Sequence, residues 1–417
     1  MKQEPGAPRE RADPSALPLA EARRRLLDAI VPVEDVEELA LPRARGRTLA
    51  RAVDARSDVP PFRASAMDGY ALRSADASGP LEVVARSLAG HPAPDRLERG
   101  QCVRVTTGAR VPDDADAVVQ QENVERDGDR VRVLEAPAPG THVRGAGSDG
   151  RRGERLVEAG ERLGAAALAT LAADGTARVA VRRRPRVGLL STGDELKDPG
   201  ERLGAGEVYD ANRPLLAALL ADTGVETVDL GIVGDTPEAL AEALARRDDL
   251  DAWVSSGGVS VGEADLVRDL LGADGEVVFW KVAMKPGRPL AFGRVRGRPW
   301  FGLPDNPVSA AVTGLLLLRP ALARLCGREP REPHALEALV EGRFGKTPGR
   351  LEFQRGLLRV APDGRRRVSD AGLQESHGLR ALARANCLVE LPAESRGARA
   401  GETVTVHPFE SFAEPPL

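Results

Sequence analysis

Aromatic side chains are scarce, with Phe, Trp and Tyr together making up 3% of the chain. That argues against a base-stacking surface, because proteins that grip single strands rely on aromatic platforms. Only three cysteines are present, Cys102, Cys326 and Cys387, and they form no CxxC pair. Such spacing speaks against a structural zinc site and indicates a reducing compartment. Charge of one sign does not dominate either: 59 Lys and Arg face 63 Asp and Glu, a formal net charge of −4. The whole molecule is therefore no trap for nucleic acid or anionic membrane, and any anion site must be built locally. Long apolar runs are missing. The longest, "GLLLL" at Gly314–Leu318, is far too short to cross a bilayer. The first residues, "MKQEPGAPRERADPSALPLAEA", hold no apolar signal core. These absences predict a cytoplasmic protein.

What remains is ordinary for a soluble globular chain, with 42% apolar and 29% charged residues. At about 100–200 residues per domain, 417 residues predict three or four domains. Residues 1–17 read as a loose tail rich in Pro, Arg, Glu and Ala. "LPLAEARRRLLDAIVPV" follows as an amphipathic helix, with Leu19, Ala22, Leu26, Leu27 and Ile30 on one stripe. Residues 46–141 carry short β-like runs ("LEVVARSL", "CVRVTTGA", "ADAVVQQENV", "RVRVLEA") broken by Gly, Pro and Asp. They predict a β-rich insertion between residues 18–45 and 142–180, which form a helical linking domain. From residue 181 to 328 strands alternate with helices. That is the signature of an α/β/α domain, a parallel sheet covered on both faces. Its helices include one with Thr236 as N-cap, Pro237 next and arginines in the last turn, and a long one with Asn306 as cap and Pro307 at its first position. Residues 329–417 return to strands and turns, a C-terminal β-domain. The expected fold is thus multidomain α/β.

Ligands of such sheets sit at the carboxyl ends of the strands, and three loops there carry chemistry. "SSGGVSVGEAD", Ser255–Asp265, follows a strand and opens a helix. Its glycines free backbone N–H groups to face an anion, the helix start adds positive partial charge, and Ser255, Ser256 and Ser260 add hydroxyls. It also fits a plain tight turn, and it lacks the GK[ST] of a P-loop. "LLSTGDELKDPG" offers Ser191, Thr192 and Gly193 as donors, then Asp194 and Glu195 as adjacent carboxylates. Carboxylates beside a phosphate site suit Mg²⁺. "MKPGRPLAF" sets Lys285 and Arg288 around a glycine between two prolines, a stiff basic loop suited to oxyanions. Two further loops, "SAMDGYAL" with Asp68 and "RGAGSDGRRGE" with Asp149, read alone as ordinary turn aspartates.

Together, "SAMDGYALR", "TTGARVPDDADAVVQQE", "GSD", "LLSTGDEL", "YDANR", "SSGGVSVGEAD", "MKPGRP" and "LPDNPVS" resemble one family in that family's order. It is the molybdopterin molybdenumtransferases, the bacterial MoeA proteins and the E domain of gephyrin. The resemblance spans nearly the whole chain. It implies an elongated four-domain homodimer whose site lies where the α/β domain of one subunit faces the second domain of its partner. It implies a transferase of molybdenum cofactor biosynthesis: adenylylated molybdopterin and molybdate give molybdenum cofactor and AMP, with Mg²⁺ assisting. Carried onto this chain, it implies that Ser256, Gly257, Gly258 and Ser260 bind the nucleotide phosphate. Asp194 and Glu195 would hold Mg²⁺ with Asp265 close by, and Lys285 and Arg288 would hold oxyanion. Asp68, Thr107, Asp149 and Asp235 match family site positions, and Pro304 and Pro307 shape the closing loop. Other cofactor-biosynthesis proteins and molybdoenzymes are implied partners. One departure stands out: the family usually reads Gly where this chain has Asp305. Two other readings fit the motifs. One is the preceding adenylyl transfer, whose proteins resemble residues 181–327 alone; the other is a non-enzymatic scaffold.

Overall fold

The structure is a computed structural model that describes residues 16–245, 247–257 and 276–412. The chain divides into two compact units, residues 1–37, 46–48 and 181–416 in the first and 38–45 and 49–180 in the second.

The first unit is built on a six-stranded sheet. Its order is Glu226–Val233, Arg186–Thr192, Ala252–Ser256, Arg298–Leu303, Pro289–Val295 and Glu276–Lys281. The first four strands run parallel. The last two join antiparallel, so the expected parallel sheet is in fact mixed. The source of that difference is a hairpin hidden behind the basic loop. Val295 pairs with Arg298 across a two-residue turn, and Arg296 and Gly297 both hold positive φ, 51° and 77°. A two-residue hairpin turn wants that geometry, and Asn-Gly is its usual sequence; Arg-Gly does not announce it.

Alternating strand residues supply two cores. Val187, Leu189 and Val254 face the helices Leu19–Ala29, Asn212–Ala221 and Pro307–Leu325. Leu190, Trp253 and Trp300 face the helix Pro237–Ala245. The Leu19–Ala29 helix buries Ala22 and Leu26, and Ile30 is buried just past its end, while Leu19 and Leu27, the other members of the expected stripe, are half-buried. Thr236 does cap its helix, its Oγ1 accepting from Ala239 N–H at 3.1 Å. Of the arginines expected in that last turn, Arg247 lies outside the helix, and Arg246 lies outside the described residues. Asn306 occupies the N-cap position of the long helix, though its side chain makes no capping hydrogen bond. That helix is apolar and long enough to cross a membrane, yet 83% of its most apolar window is buried in the protein, as a core helix should be.

Five strands of the C-terminal region close on themselves. Leu351–Val360 pairs with both Arg366–Asp370 and Cys387–Leu391, completing a small barrel with Leu336–Glu341 and Thr403–Pro408. Met284–Lys285 adds a parallel strand to Leu351 and Glu352, which ties the barrel to the basic loop of the α/β part.

The second unit holds its own six-stranded sheet, ordered Ala117–Gln120, Gly69–Leu72, Gln101–Val105, Leu81–Ser87, Arg130–Val133 and Val124–Asp127. The run "ADAVVQQENV", which reads as one strand, is two strands broken by a short 3₁₀ turn at Gln121–Asn123. A helix spans Ala165–Ala173.

Candidate active site

The carboxyl ends of the four parallel strands fall in line. Ser191 pairs with Ile232 and Ser256, and Ser256 with Leu303. Four loops therefore leave from one edge: Gly193–Glu195, Gly234–Asp235, Gly257 and Pro304–Pro307. Gly258, Ser260 and Asp265, together with the helix expected after them, lie outside the described residues.

Glycine geometry explains how closely the loops approach. A Cβ on Gly257, at φ +94°, would stand 2.5 Å from the Thr192 carbonyl oxygen and 2.6 Å from its Oγ1. The serine-glycine loop thus rests directly on the end of the Arg186–Thr192 strand. Gly193, at φ +149°, lies under the Glu195 carboxylate, whose Oε2 would be 2.7 Å from a Cβ there. Gly287 of the basic loop is pressed against Thr313 and Met284 at φ +97°. Each site admits glycine alone without displacement.

Around this edge, buried polar atoms lack partners. Among the described residues the hydroxyls of Ser191, Thr192 and Ser255 and the Asn212 carbonyl oxygen make no hydrogen bond. Buried polar groups are nearly always paired, and these orphans flank the strand ends on both faces, Ser191 and Asn212 on the side of the helix Asn212–Ala221 and Thr192 and Ser255 on the side of the helix Pro237–Ala245. Ser256 is not one of them. Its Oγ accepts from Asn212 Nδ2 at 2.6 Å, and the same amide donates to the Asp305 carbonyl. Asn212 therefore fastens the serine loop to the Pro304–Pro307 loop, a role its place at a helix start does not advertise in sequence. The preceding Asp210 is buried; it accepts from the Asn212 and Arg213 backbone N–H groups and from Arg213 Nε.

Asp194 and Glu195 are exposed at this edge. Asp194 Oδ1 accepts the Asp235 backbone N–H at 3.3 Å, which joins two adjacent loops. Lys285 is half exposed, its Nζ 3.6 Å from Glu352 Oε1 on the buried start of a barrel strand, and Gln354 Nε2 donates to the same oxygen at 2.7 Å. Glu352 thereby steers the lysine from below. Arg288 is partly buried, and its carbonyl accepts from Val282 N–H. Pro304 is buried and Pro307 half-buried. Sequence inspection also misses Arg355, fully buried, whose guanidinium holds the Leu373 and Glu375 carbonyls. The loop so ordered offers the Ser376 carbonyl to Val308 N–H, at the first turn of the helix behind Pro307.

Asp305 is exposed, and its φ is not positive, so the backbone reason for glycine at this position does not apply here. Two readings then stand for this position, close approach of an anion and an outward-pointing residue ahead of the helix behind Pro307. Asp305→Gly is expected to lower the apparent molybdate constant, most at low ionic strength where repulsion is least screened. Steady-state titration of molybdate at two salt concentrations checks this; an unchanged constant leaves Asp305 a neutral surface residue.

In the second unit, Asp68 and Thr107 come together. Asp68 Oδ1 accepts from Thr107 N–H at 2.7 Å and from its Oγ1 at 2.8 Å. These bonds, the backbone one first, hold the Asp68 carboxyl below its usual range, with the charge of Arg104 adding to them. A depressed carboxylate favours the native state above its unfolded pKa, and that contribution fades as pH falls through the folded value. Thr107→Val removes one donor and should move the Asp68 titration upward. Carboxyl carbon NMR reads it directly; an unmoved titration would mean that the hydroxyl bond is not formed. Asp149 is exposed, its N–H bonded to the Val59 carbonyl at 2.9 Å.

Comparison with known proteins bears on the whole chain. The profile of the MoeA N-terminal region (domain I and II) matches residues 17–175, that of a probable molybdopterin binding domain residues 188–324, and that of the MoeA C-terminal region (domain IV) residues 337–409. A molybdopterin molybdenumtransferase of Haemophilus influenzae is 39% identical across 94% of this chain and 98% of its own length. Another, from Nostoc sp., is 35% identical across 97% of each. The crystal structure of a molybdopterin biosynthesis moeA protein from Pyrococcus horikoshii superposes with a TM-score of 0.80 at 30% identity, over 94% of this chain and 100% of that one. On fold, length and sequence alike, this chain belongs to the molybdopterin molybdenumtransferase family.

Proposed function

We propose that the protein transfers molybdenum from molybdate into adenylylated molybdopterin and releases AMP. The observation that carries this reading is the gathering, at one sheet edge, of unpaired buried hydroxyls, two exposed carboxylates and a stiff basic loop. Anionic phosphates and a tetrahedral dianion both need such donors. The glycine-supported backbone at Gly257 and the hydroxyls of Ser191, Thr192 and Ser255 would orient the phosphates. Lys285, aimed by Glu352, and Arg288 would counter charge that builds on the oxyanion. Water then cleaves the phosphoanhydride, giving AMP and the molybdopterin phosphate. The two dithiolene thiols form two Mo–S bonds while two molybdate oxygens take up the thiol protons and leave as hydroxide, with molybdenum unchanged in oxidation state.

The donor set fits Mg²⁺ in one specific way. Among the described residues no three His, Cys, Asp or Glu side chains converge as a cage. Mg²⁺ needs none, since it commonly takes one or two carboxylates plus phosphate oxygens and water. Asp194 and Glu195 would hold it, and when bound it would neutralise phosphate charge.

Supplying the purified chain with adenylylated molybdopterin and molybdate, or with ATP and metal-free molybdopterin, separates this reaction from the preceding adenylyl transfer. Turnover of the first pair alone is expected; turnover of the ATP pair would overturn the assignment.

Family likeness also supports a homodimer, acting in the cytoplasm beside other cofactor-biosynthesis proteins and molybdoenzymes, with Asp68, Thr107 and Asp149 completing the partner's site. Mixing inactive Asp68→Ala with inactive Asp194→Ala subunits should restore activity, because one of the two sites in a heterodimer is then whole. Confirmed subunit exchange without recovered activity would remove the shared site.

A further inference from the structure

The second unit carries a basic cluster that the reaction described above leaves unused. Arg86, Arg104 and Arg126 line one concavity of about 200 Å³ on its sheet, with Tyr70, Asp129 and the Val83–Ala85 stretch. Strand register explains the convergence. Tyr70 pairs with Arg104 across antiparallel strands, and Arg104 pairs with Arg86 across parallel ones. Paired residues share a face, so the three side chains form a row.

That row depends on an irregularity. Leu81 and Val83 face the core that holds Tyr70 and Cys102. Strict alternation would place Ala85 next on that face and Arg86 on the opposite one. The register shifts between Val83 and Ala85 instead. Ala85 packs with Val103 and Val105 on the far side, and Arg86 comes round beside Arg104. Bulges that re-aim a side chain in this way concentrate at functional sites.

The result is electrostatically unfavourable without a ligand, because like charges held directly opposite weaken a strand pair. Among the described residues neither Arg86 nor Arg104 makes an ion pair. Arg126 Nε donates to the Gly128 carbonyl at 2.9 Å, which leaves the terminal nitrogens of its guanidinium for a ligand. Tyr70 is 3% exposed and lines the concavity, and its hydroxyl makes no hydrogen bond among the described residues, so it is accessible there as a donor. Asp129, the one acid on the lining, pairs with none of the three arginines.

We propose that this concavity is an oxyanion site, taking a tetrahedral dianion between Arg86 and Arg104 with Arg126 and the Tyr70 hydroxyl as further donors. Guanidinium forks suit that geometry. Arg104 is also near enough to Asp68 for its charge to act on that carboxyl, so an anion held here stands beside the Asp68–Thr107 pair. Free molybdate and a phosphate group share the required chemistry.

The test uses the full chain. Equilibrium dialysis measures binding of molybdate and, separately, of inorganic phosphate to wild type and to the Arg86→Gln/Arg104→Gln variant. The variant should melt no lower than wild type, since a repulsive pair is gone, and should lose one oxyanion per chain through an affinity at least about tenfold weaker, about 1.4 kcal/mol. Arg126→Gln and Tyr70→Phe should each give a smaller loss of the same sign and serve if the double variant fails to fold. Tighter molybdate identifies the free metal oxyanion as the occupant, and tighter phosphate identifies a phosphate group. Tungstate soaked into crystals should give an anomalous peak between the two guanidinium groups. Unchanged stoichiometry and affinity in folded variants, or no such peak, overturns the proposal.

Discussion

Asp194→Asn is expected to leave the fold intact and slow AMP release at ordinary Mg²⁺ by at least about tenfold, ~1.4 kcal/mol in the barrier. The fold survives because the structural duty of Asp194 is light. It is exposed at a strand end, and its Oδ1 accepts one backbone N–H, from Asp235 at 3.3 Å. An amide oxygen accepts that bond equally well. What the amide cannot supply is negative charge for a hard cation beside phosphate. The loss should therefore shrink as Mg²⁺ is raised, which a titration of AMP release against Mg²⁺ measures. Wild-type turnover in the variant at ordinary Mg²⁺ would place Asp194 outside the site.

A larger loss, at least about a hundredfold or ~2.7 kcal/mol in the barrier, is expected for Gly257→Val. Two penalties coincide at this position. The backbone sits at φ +94°, where a β-branched residue is a genuine outlier. The added Cβ would also meet the Thr192 carbonyl oxygen at 2.5 Å, a backbone atom that cannot swing aside. Relief requires the serine loop to lift off the strand end. Thr192 and Ser255, whose hydroxyls are unpaired, would then no longer be held together. The sheet itself lies below the junction, so its far-ultraviolet circular dichroism should persist while turnover is lost. Turnover within about threefold of wild type would mean that the two loops need not touch for catalysis.

Much of this edge was legible because its signals are local. A glycine after an apolar run, a proline after an asparagine, and paired acids after a strand each report on a few neighbouring residues. The same holds for the Leu19–Ala29 helix, whose stripe follows helical spacing. What escaped depends on partners distant in sequence or on an unusual turn residue. The Pro289–Leu303 hairpin was hidden because Arg296 adopts a positive φ that Asn or Gly ordinarily takes. Asn212 looks like any polar residue opening a helix, and its partner Ser256 stands 44 residues away. Barrel closure through Leu351–Val360, and the attachment of Met284–Lys285 to it, are pairings that no strand's own pattern specifies. Ser256 illustrates the limit for site residues: its type suggests a ligand donor, while its hydroxyl is already engaged by Asn212.

The proposed reaction couples release of the nucleotide to insertion of the metal at one site. Counting both products from the same reaction tests it most directly. With adenylylated molybdopterin and molybdate, the purified protein should release AMP and incorporate molybdenum in equal molar amounts, and omitting molybdate should leave the pterin unmetallated. Molybdenum incorporated with no matching AMP, or AMP formed in full while the pterin stays metal-free in the presence of molybdate, would contradict it.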